Sequence, residues 1–360
     1  MIGIIGFNDL HIMQYLKKYT NFFDEHGIEY EVIYWNRSLI EDRPDFNGAF
    51  IRYNRFLNTY QPFHKKIVGF LRYTAFMRKT IAKRKYDKLI ILTTQTAIPL
   101  FSLLIGKYRG RFIYDYRDIT AEKKYFFYRR MVQSLISASN YTMISSKGFL
   151  PEIGVSDKPN ILMSHNTQRK CQKSEYSVNQ KSSSTIHIVY WGMVRQLDFN
   201  KKICDAFGND IRFELTFHGD GYFEELKRYC LEKGYSNIDF TGRYMQKDIP
   251  SFIEKTDILN CIYENDAGTQ PTVAVKAYDA IHYRLPLLIS KASYLEKFMT
   301  GISGCCAVDT DELSSAADSV YEWYRKLDTE SVERDFERIE KEIFNDDAAF
   351  EEKLLSFSRG

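Results

Sequence analysis

Short apolar runs of strand length alternate with amphipathic stretches of helical period along most of this chain, and the alternation occurs twice. In the first half, MIGIIGF, YEVIYW, AFIRY, KLIILTT, RFIYDYRD, YTMISS and NILMSHN read as strands. Between them, LHIMQYLKKYTNFFDEHG, residues 62–85, AIPLFSLLIGKY and residues 121–138 read as helices. Strands that follow helices at short spacing pair in parallel and bury both faces, which implies a doubly wound α/β sheet. Residues 168–184 are polar and lack apolar periodicity, and they read as a linker. A second alternation starts with IHIVYWG at 186. At 360 residues the chain is long enough for two such domains. The reading is residues 1–167 as one domain, 168–184 as linker, 185–328 as a second domain, and 329–360 as a closing helical segment.

Ligands of parallel sheets gather outside the carboxyl ends of the strands. That rule points to the loops Phe7–Asp9, Thr93–Thr96, Tyr116–Thr120 and Ser164–Asn166 in the first domain. In the second, the most informative stretch is DILNCIYENDAGTQPTVAVKAYDAIHYRLPLLIS at 257–290, which reads strand, loop, helix, strand. Thr272, Lys276, Asp279 and Tyr283 fall at i, i+4, i+7 and i+11, one face of the helix, with Val273, Ala277, Ala280 and Ile281 opposite. Free N–H groups at the helix start, around Thr272, Val273 and Ala274, favour an anion, and Lys276 adds a full charge. The site suits a diphosphate, with Asp279 placed to accept hydrogen bonds from sugar or ribose hydroxyls. The alternative is an ordinary surface helix whose Lys276 and Asp279 form an i,i+3 ion pair.

Further candidates sit at strand ends. Gly192 closes IVYWG, with Arg195 three residues on and Lys201 beyond it. Gly219 and Gly221 flank Asp220 between strand and helix, and Gly242-Arg243-Tyr244 ends the next strand. In the first domain YDYRDIT supplies Asp115, Arg117 and Asp118, with Asp115 and Arg117 on one face of the strand by alternation. His165, in Ser164-His165-Asn166, ends the last strand of that domain.

Four segments in order, IHIVYWGMVR at 186–195, FELTFHGDGYFEELKRYC at 213–230, IDFTGRYMQKDIPSFIEKTDI at 238–258 and the 257–290 stretch, resemble the C-terminal domain of GT-B nucleotide-sugar glycosyltransferases. The similarity is closest to the group 1 family of retaining bacterial polysaccharide and lipid-linked glycan enzymes. It implies two Rossmann-like domains facing a cleft, an N-terminal acceptor domain, a C-terminal donor domain, and a final helix that crosses back to the first domain. The donor implied is a UDP- or GDP-type nucleotide sugar, with no separate cofactor and no metal. By resemblance Arg195, or alternatively Lys201, pairs with the donor diphosphate, and the backbone at Arg243 and Tyr244 faces the base. The family's helix carries two glutamates eight positions apart, where this chain has Pro271 and Asp279. Many relatives place a histidine where this chain has Arg117. A guanidinium stays protonated and is no general base. Arg117 is then a cationic contact and Asp118 the acid/base candidate, with an Arg117–Asp118 structural ion pair as the alternative. The resemblance implies transfer of a sugar to a hydroxyl of a glycan, polyprenyl-linked or otherwise lipid-linked, in bacterial surface polysaccharide assembly. The competing readings are a non-catalytic GT-B-fold assembly partner and a GT-B-type nucleotide-sugar epimerase.

Charge completes the picture. The net charge of +3 joins a basic first half to an acidic second half. Residues 65–88 carry nine Lys or Arg against one acid, Asp87, interleaved with Phe70, Tyr73 and Phe76. Such a stretch fits an anionic membrane surface or a solvated helix face, and no nucleic-acid module accompanies it. No run reaches the ~20 apolar residues of a spanning helix. LIILTTQTAIPLFSLLIG comes nearest and is broken by Thr93–Thr96. The six cysteines show no metal-ligand spacing and read as reduced thiols. The expected location is cytoplasmic, peripheral to the inner face of the plasma membrane.

Overall fold

The computed structural model describes residues 1–41, 43–57, 62–167, 174–178 and 184–360, with backbone only for Phe63 and Lys65. Most of the expected linker, 168–173 and 179–183, lies outside the described residues, and so does Cys171. The chain forms two compact units. The first is Met1–Lys170 with Asn345–Gly360, and the second is Cys171–Phe344.

The first unit runs β1 (Ile2–Ile5), α1 (Leu16–Glu25), β2 (Tyr30–Asn36), β3 (Ala49–Asn54), α2 (Phe63–Arg84) and β4 (Lys88–Leu92). It continues α3 (Thr94–Ala97), α4 (Phe101–Ile105), β5 (Phe112–Tyr116), α5 (Phe126–Ala138), β6 (Tyr141–Ile144), α6 (Phe149–Ile153) and β7 (Ile161–Met163). All seven strands are parallel, in the order β3-β2-β1-β4-β5-β6-β7. The strand order therefore reverses between β1 and β4. The expected helix at 97–108 is interrupted: Pro99 has no N–H to donate and lies in a 3₁₀ turn between α3 and α4. The expected helix from Leu10 starts only at Leu16, because Ile12 and Met13 close i,i+3 turns onto Asp9 and Leu10.

Both faces of this sheet are covered, as a parallel sheet requires. On one face Tyr73, Met77 and Ile81 of α2 pack with Val132, Leu135 and Ile136 of α5. On the other, Leu16, Tyr19, Phe22 and Phe23 of α1 pack with Phe350, Leu354 and Phe357. These last three fall at i, i+4 and i+7 of the long closing helix.

The second unit runs β8 (Ile186–Val194), α7 (Leu197–Phe207), β9 (Phe213–Gly221), α8 (Phe223–Lys233), β10 (Ile238–Gly242), α9 (Ile249–Ile253) and β11 (Ile258–Cys261). It continues α10 (Val275–Tyr283), β12 (Leu287–Ser290), α11 (Tyr294–Phe298), β13 (Cys305–Val308), α12 (Ala316–Arg325) and α13 (Thr329–Arg359). Its six parallel strands take the order β10-β9-β8-β11-β12-β13, reversing between β8 and β11. Helix α13 supplies residues to both units. In the second, its Val332, Phe336, Ile339 and Ile343 join the core, and Glu333 and Glu340 hold the buried Arg284 at 2.9 and 2.7 Å. Cys204, Cys230, Cys261, Cys305 and Cys306 are free thiols.

Candidate functional site

The reversal between β8 and β11 is where an open parallel sheet leaves a crevice at its strand ends. Here it collects Tyr190 and Trp191 from within β8, Arg195 just beyond it, Tyr263 just after β11, and Lys276 and Asp279 from α10. The loop before α10 is shaped by Asp266, whose Oδ1 accepts from the N–H groups of Gly268 and Thr269 at 2.7 and 2.8 Å. Gln196 ties that loop to the β8–α7 connection: its Nε2 donates to Asp266 at 3.0 Å, and its Oε1 accepts from the N–H of Glu264 at 3.0 Å. Thr272 closes a turn onto the carbonyl of Thr269 through both its N–H and its hydroxyl. Val273 is buried, and the extended Ala274 is the N-cap of α10. The helix thus begins three residues later than Thr272. No acceptor among the described residues takes the N–H groups of Ala274, Val275 or Lys276.

The expected polar face of α10 is buried. Lys276 is 5% exposed and Asp279 9%, while the apolar Val275 faces outward at 49%. The Lys276 ammonium lies 3.3 Å from the ring centre of Tyr190 and 4.8 Å from that of Tyr263. It has no hydrogen-bond partner among the described residues. Burial draws its pKa down to about 7, against the opposing pull of Cys261 and Asp279. A surface ion pair with Asp279 is absent among the described residues. Asp279 instead accepts from the indole N–H of Trp191 at 3.0 Å through Oδ2. A buried cation without a hydrogen-bond partner thus stands beside free helix N–H groups, two independent features that an anion would satisfy.

The other donor-side candidates divide. Burial raises the pKa of both Tyr190 and Tyr263, and the exposed Arg195 opposes that rise at both rings, so it lies near the tyrosines that enclose Lys276. Lys201 lies on α7, ion-paired to Asp198 at 3.0 Å and over Tyr229 of α8, in different company. Gly192 takes φ +130° and pairs in register with Gly219. A Cβ on Gly219 would overlap the carbonyl oxygen of Gly192, and one on Gly221 that of Val194. These glycines let β8 and β9 approach each other closely. Arg243 pairs with Asp220 at 2.8 Å. Tyr244 packs edge-on against Phe252, which stacks on His218 at 3.7 Å, and Asp279 helps raise the Tyr244 pKa behind the larger effect of burial.

In the first unit, Arg117 is buried and donates to Asp115 through Nε and Nη2 and to Ser164 through Nη1 and Nη2. Four of its five N–H donors are engaged. Tyr19 adds a hydrogen bond to Asp115 at 2.8 Å. Asp118 is exposed at the start of the following loop. His165 contacts Asp346 of α13 at 2.9 Å. The sequence does not point to the tyrosine cage around Lys276: its signal, one aromatic within β8 and one just past β11, reads equally well as core.

Among solved structures, a sucrose-phosphate synthase from Thermosynechococcus elongatus superposes with a TM-score of 0.72 at 12% identity, covering 99% of this chain and 98% of that one. The chain has the GT-B fold. A glycosyltransferase from Rickettsia africae gives 0.70 at 12% identity over 99% and 97% of the two chains. Anabaena HepE, solved with UDP and glucose, gives 0.68 at 13% identity over 99% of each. No protein-family model matches the sequence, and no curated protein is detectably similar to it. At these identities the likeness defines the GT-B fold.

Proposed function

We propose that this GT-B protein transfers a sugar from a nucleotide sugar, of UDP or GDP type, to a hydroxyl of a lipid-linked glycan acceptor. The observation that carries the reading is the caged, unpartnered Lys276 at the free N-terminus of α10. As the glycosidic bond to the donor breaks, negative charge develops on the diphosphate. Lys276, Arg195 and the N–H groups at the start of α10 are placed to stabilise it, and they do so from a low-dielectric setting. These groups supply the role a divalent ion would otherwise play, so transfer is expected to persist in EDTA. Asp118 is the acid/base candidate on the acceptor side, and Arg117 positions Asp115 and Ser164. HepE in complex with UDP and glucose is similar in fold and supports a UDP-sugar donor. Calorimetry with UDP and GDP tests the reading: binding by the wild type and its loss in Lys276→Ala support it, and equal binding by both proteins removes the site.

The first unit carries the membrane part of the proposal. On α2, Tyr73 is buried, and Phe70 and Phe76 pack against the core, so these aromatics do not face lipid. Ile67, Val68 and Leu71 do stand exposed, flanked by Arg72, Lys79 and Lys83, which share one face at i, i+7 and i+11. Phe126 and Phe127 are also exposed, beside Lys124 and Arg130. Apolar side chains ringed by cations fit an anionic lipid surface. Among the described residues no helix is long and apolar enough to cross a membrane. Changing Arg72, Lys79 and Lys83 to Gln should reduce sedimentation with phosphatidylserine vesicles while UDP affinity holds. Equal binding to neutral and anionic vesicles overturns this part.

A further inference from the structure

The first unit has its own reversal of strand order, between β1 and β4, and a buried arginine stands beside it. Arg37 follows the C-terminal end of β2, the neighbour of β1. Its backbone is pinned: its N–H donates to Asp9 Oδ1 at 2.7 Å, and its carbonyl accepts from the N–H of Leu57 at 3.1 Å. The guanidinium sits in an aromatic box, 4.7 Å from Phe7, 4.9 Å from Trp35 and 5.9 Å from Phe70, and the residue is 7% exposed.

Nε and Nη2 of Arg37 have no hydrogen-bond partner among the described residues. These two atoms form the side-on edge of the guanidinium, the fork that matches two oxygens of a carboxylate or phosphate. The other two buried arginines show the edge in use. Arg117 places it on Asp115, and Arg284 divides it between Glu333 and Glu340. Asp9 does not fill the role for Arg37: its Oδ1 accepts the N–H groups of Arg37 and Ser38, and among the described residues no ion pair joins it to the guanidinium. Burial lowers the Arg37 pKa to about 10, with Asp9 pulling the other way. Across the reversal, at the end of β4, the hydroxyls of Thr93 and Thr96 are also buried without partners among the described residues, and Thr93 holds φ +70°, an uncommon state for a β-branched residue. Buried polar groups are nearly always satisfied, so a fork after β2 and two hydroxyls with a strained backbone after β4, on either side of β1 at the carboxyl end of the sheet, mark a place made for a ligand.

We propose that Arg37 binds an anionic group, a phosphate or a carboxylate, carried by the acceptor, so that this protein takes acidic rather than neutral glycans. The proposal rests on the reading of the chain as a glycosyltransferase whose first unit holds the acceptor. Calorimetry on the full chain would use glucose 6-phosphate, glucuronate and glucose as probes, with UDP titrated into the same preparations. The wild type is expected to bind at least one acid more tightly than glucose, and the tighter acid identifies the group. Arg37→Lys keeps the charge but has no fork, and Arg37→Met keeps only an apolar stem. Both should lose the preference, with acid affinity down about tenfold or more, while UDP affinity is unchanged, which also reports that each variant is folded. Equal affinity for glucose and both acids, no binding of either acid to the wild type, or wild-type acid binding by both variants overturns the proposal. Absence of UDP binding by the wild type would instead sink the transferase reading, leaving the acid preference of Arg37 to be judged on its own titration.

Discussion

Replacing Lys276 with methionine should make the second unit more stable and a poorer nucleotide binder in the same stroke. The ammonium is held over Tyr190 with no hydrogen-bond partner among the described residues, and its pKa falls from 10.5 to about 7. At about 1.36 kcal/mol per pKa unit, keeping the charge in place costs on the order of 5 kcal/mol. The unfolded lysine retains the ordinary value. The cost is therefore fully present below pH 7, declines as pH rises from 7 to 10.5, and is gone above that. Methionine is unbranched, similar in length and uncharged, so it fills the cage without this cost. Urea unfolding followed by tryptophan fluorescence should show Lys276→Met ahead of the wild type at pH 6, with the gap narrowing steadily toward pH 10. UDP affinity should move the other way. At pH 6 the variant should lose roughly 1.5–3 kcal/mol, the range for a charged hydrogen bond. Wild-type affinity should itself weaken as pH rises through 7 and the lysine loses its proton. A variant destabilised equally at both pH values would show that the lysine is not held charged at a cost, and the argument would fail.

Other outcomes are equally open to measurement. Arg117→Met should cost about 3–5 kcal/mol in urea unfolding, because it strands the fully buried Asp115 carboxylate. Leu354→Ala removes a fully buried side chain where α13 meets α1, and should cost about 2–5 kcal/mol by the same measurement. Gly219→Ala forces a methyl group onto the carbonyl of Gly192 and should lower the thermal midpoint by the equivalent of about 1–3 kcal/mol. Transfer assayed with a lipid-linked acceptor should survive EDTA; full loss restored by manganese would contradict the role given to Lys276 and Arg195.

The two parallel sheets were legible because central strands such as β1, β4 and β12 are apolar runs too short for a helix, and Asp115 and Arg117 share a face as strand alternation requires. What was not legible depends on tertiary surroundings. Lys276 and Asp279 read as a polar face by spacing alone, and only the enclosing Tyr190, Tyr263 and Trp191 reveal them as buried. Phe70, Tyr73 and Phe76 read as lipid-facing because they lie among cations, yet helical phase turns them toward the core and leaves Ile67, Val68 and Leu71 outside. Arg37 lies in no motif. Its interest comes from an empty fork, a property of three-dimensional neighbours, and Asp9 and Thr93 in the loops expected to bind ligand gain their meaning only beside it.

The pairing of Gly192 with Gly219, and of Val194 with Gly221, sets a condition on inheritance. A side chain at residue 219 or 221 has nowhere to go while β8 and β9 keep this alignment. Both positions therefore resist single substitutions, each carrying the kind of penalty given above for Gly219→Ala unless one strand shifts along the other. The Gly-Asp-Gly triplet consequently works as a ruler for this seam: it fixes how β8 and β9 are threaded, and with them the position of Arg195, the first residue beyond β8.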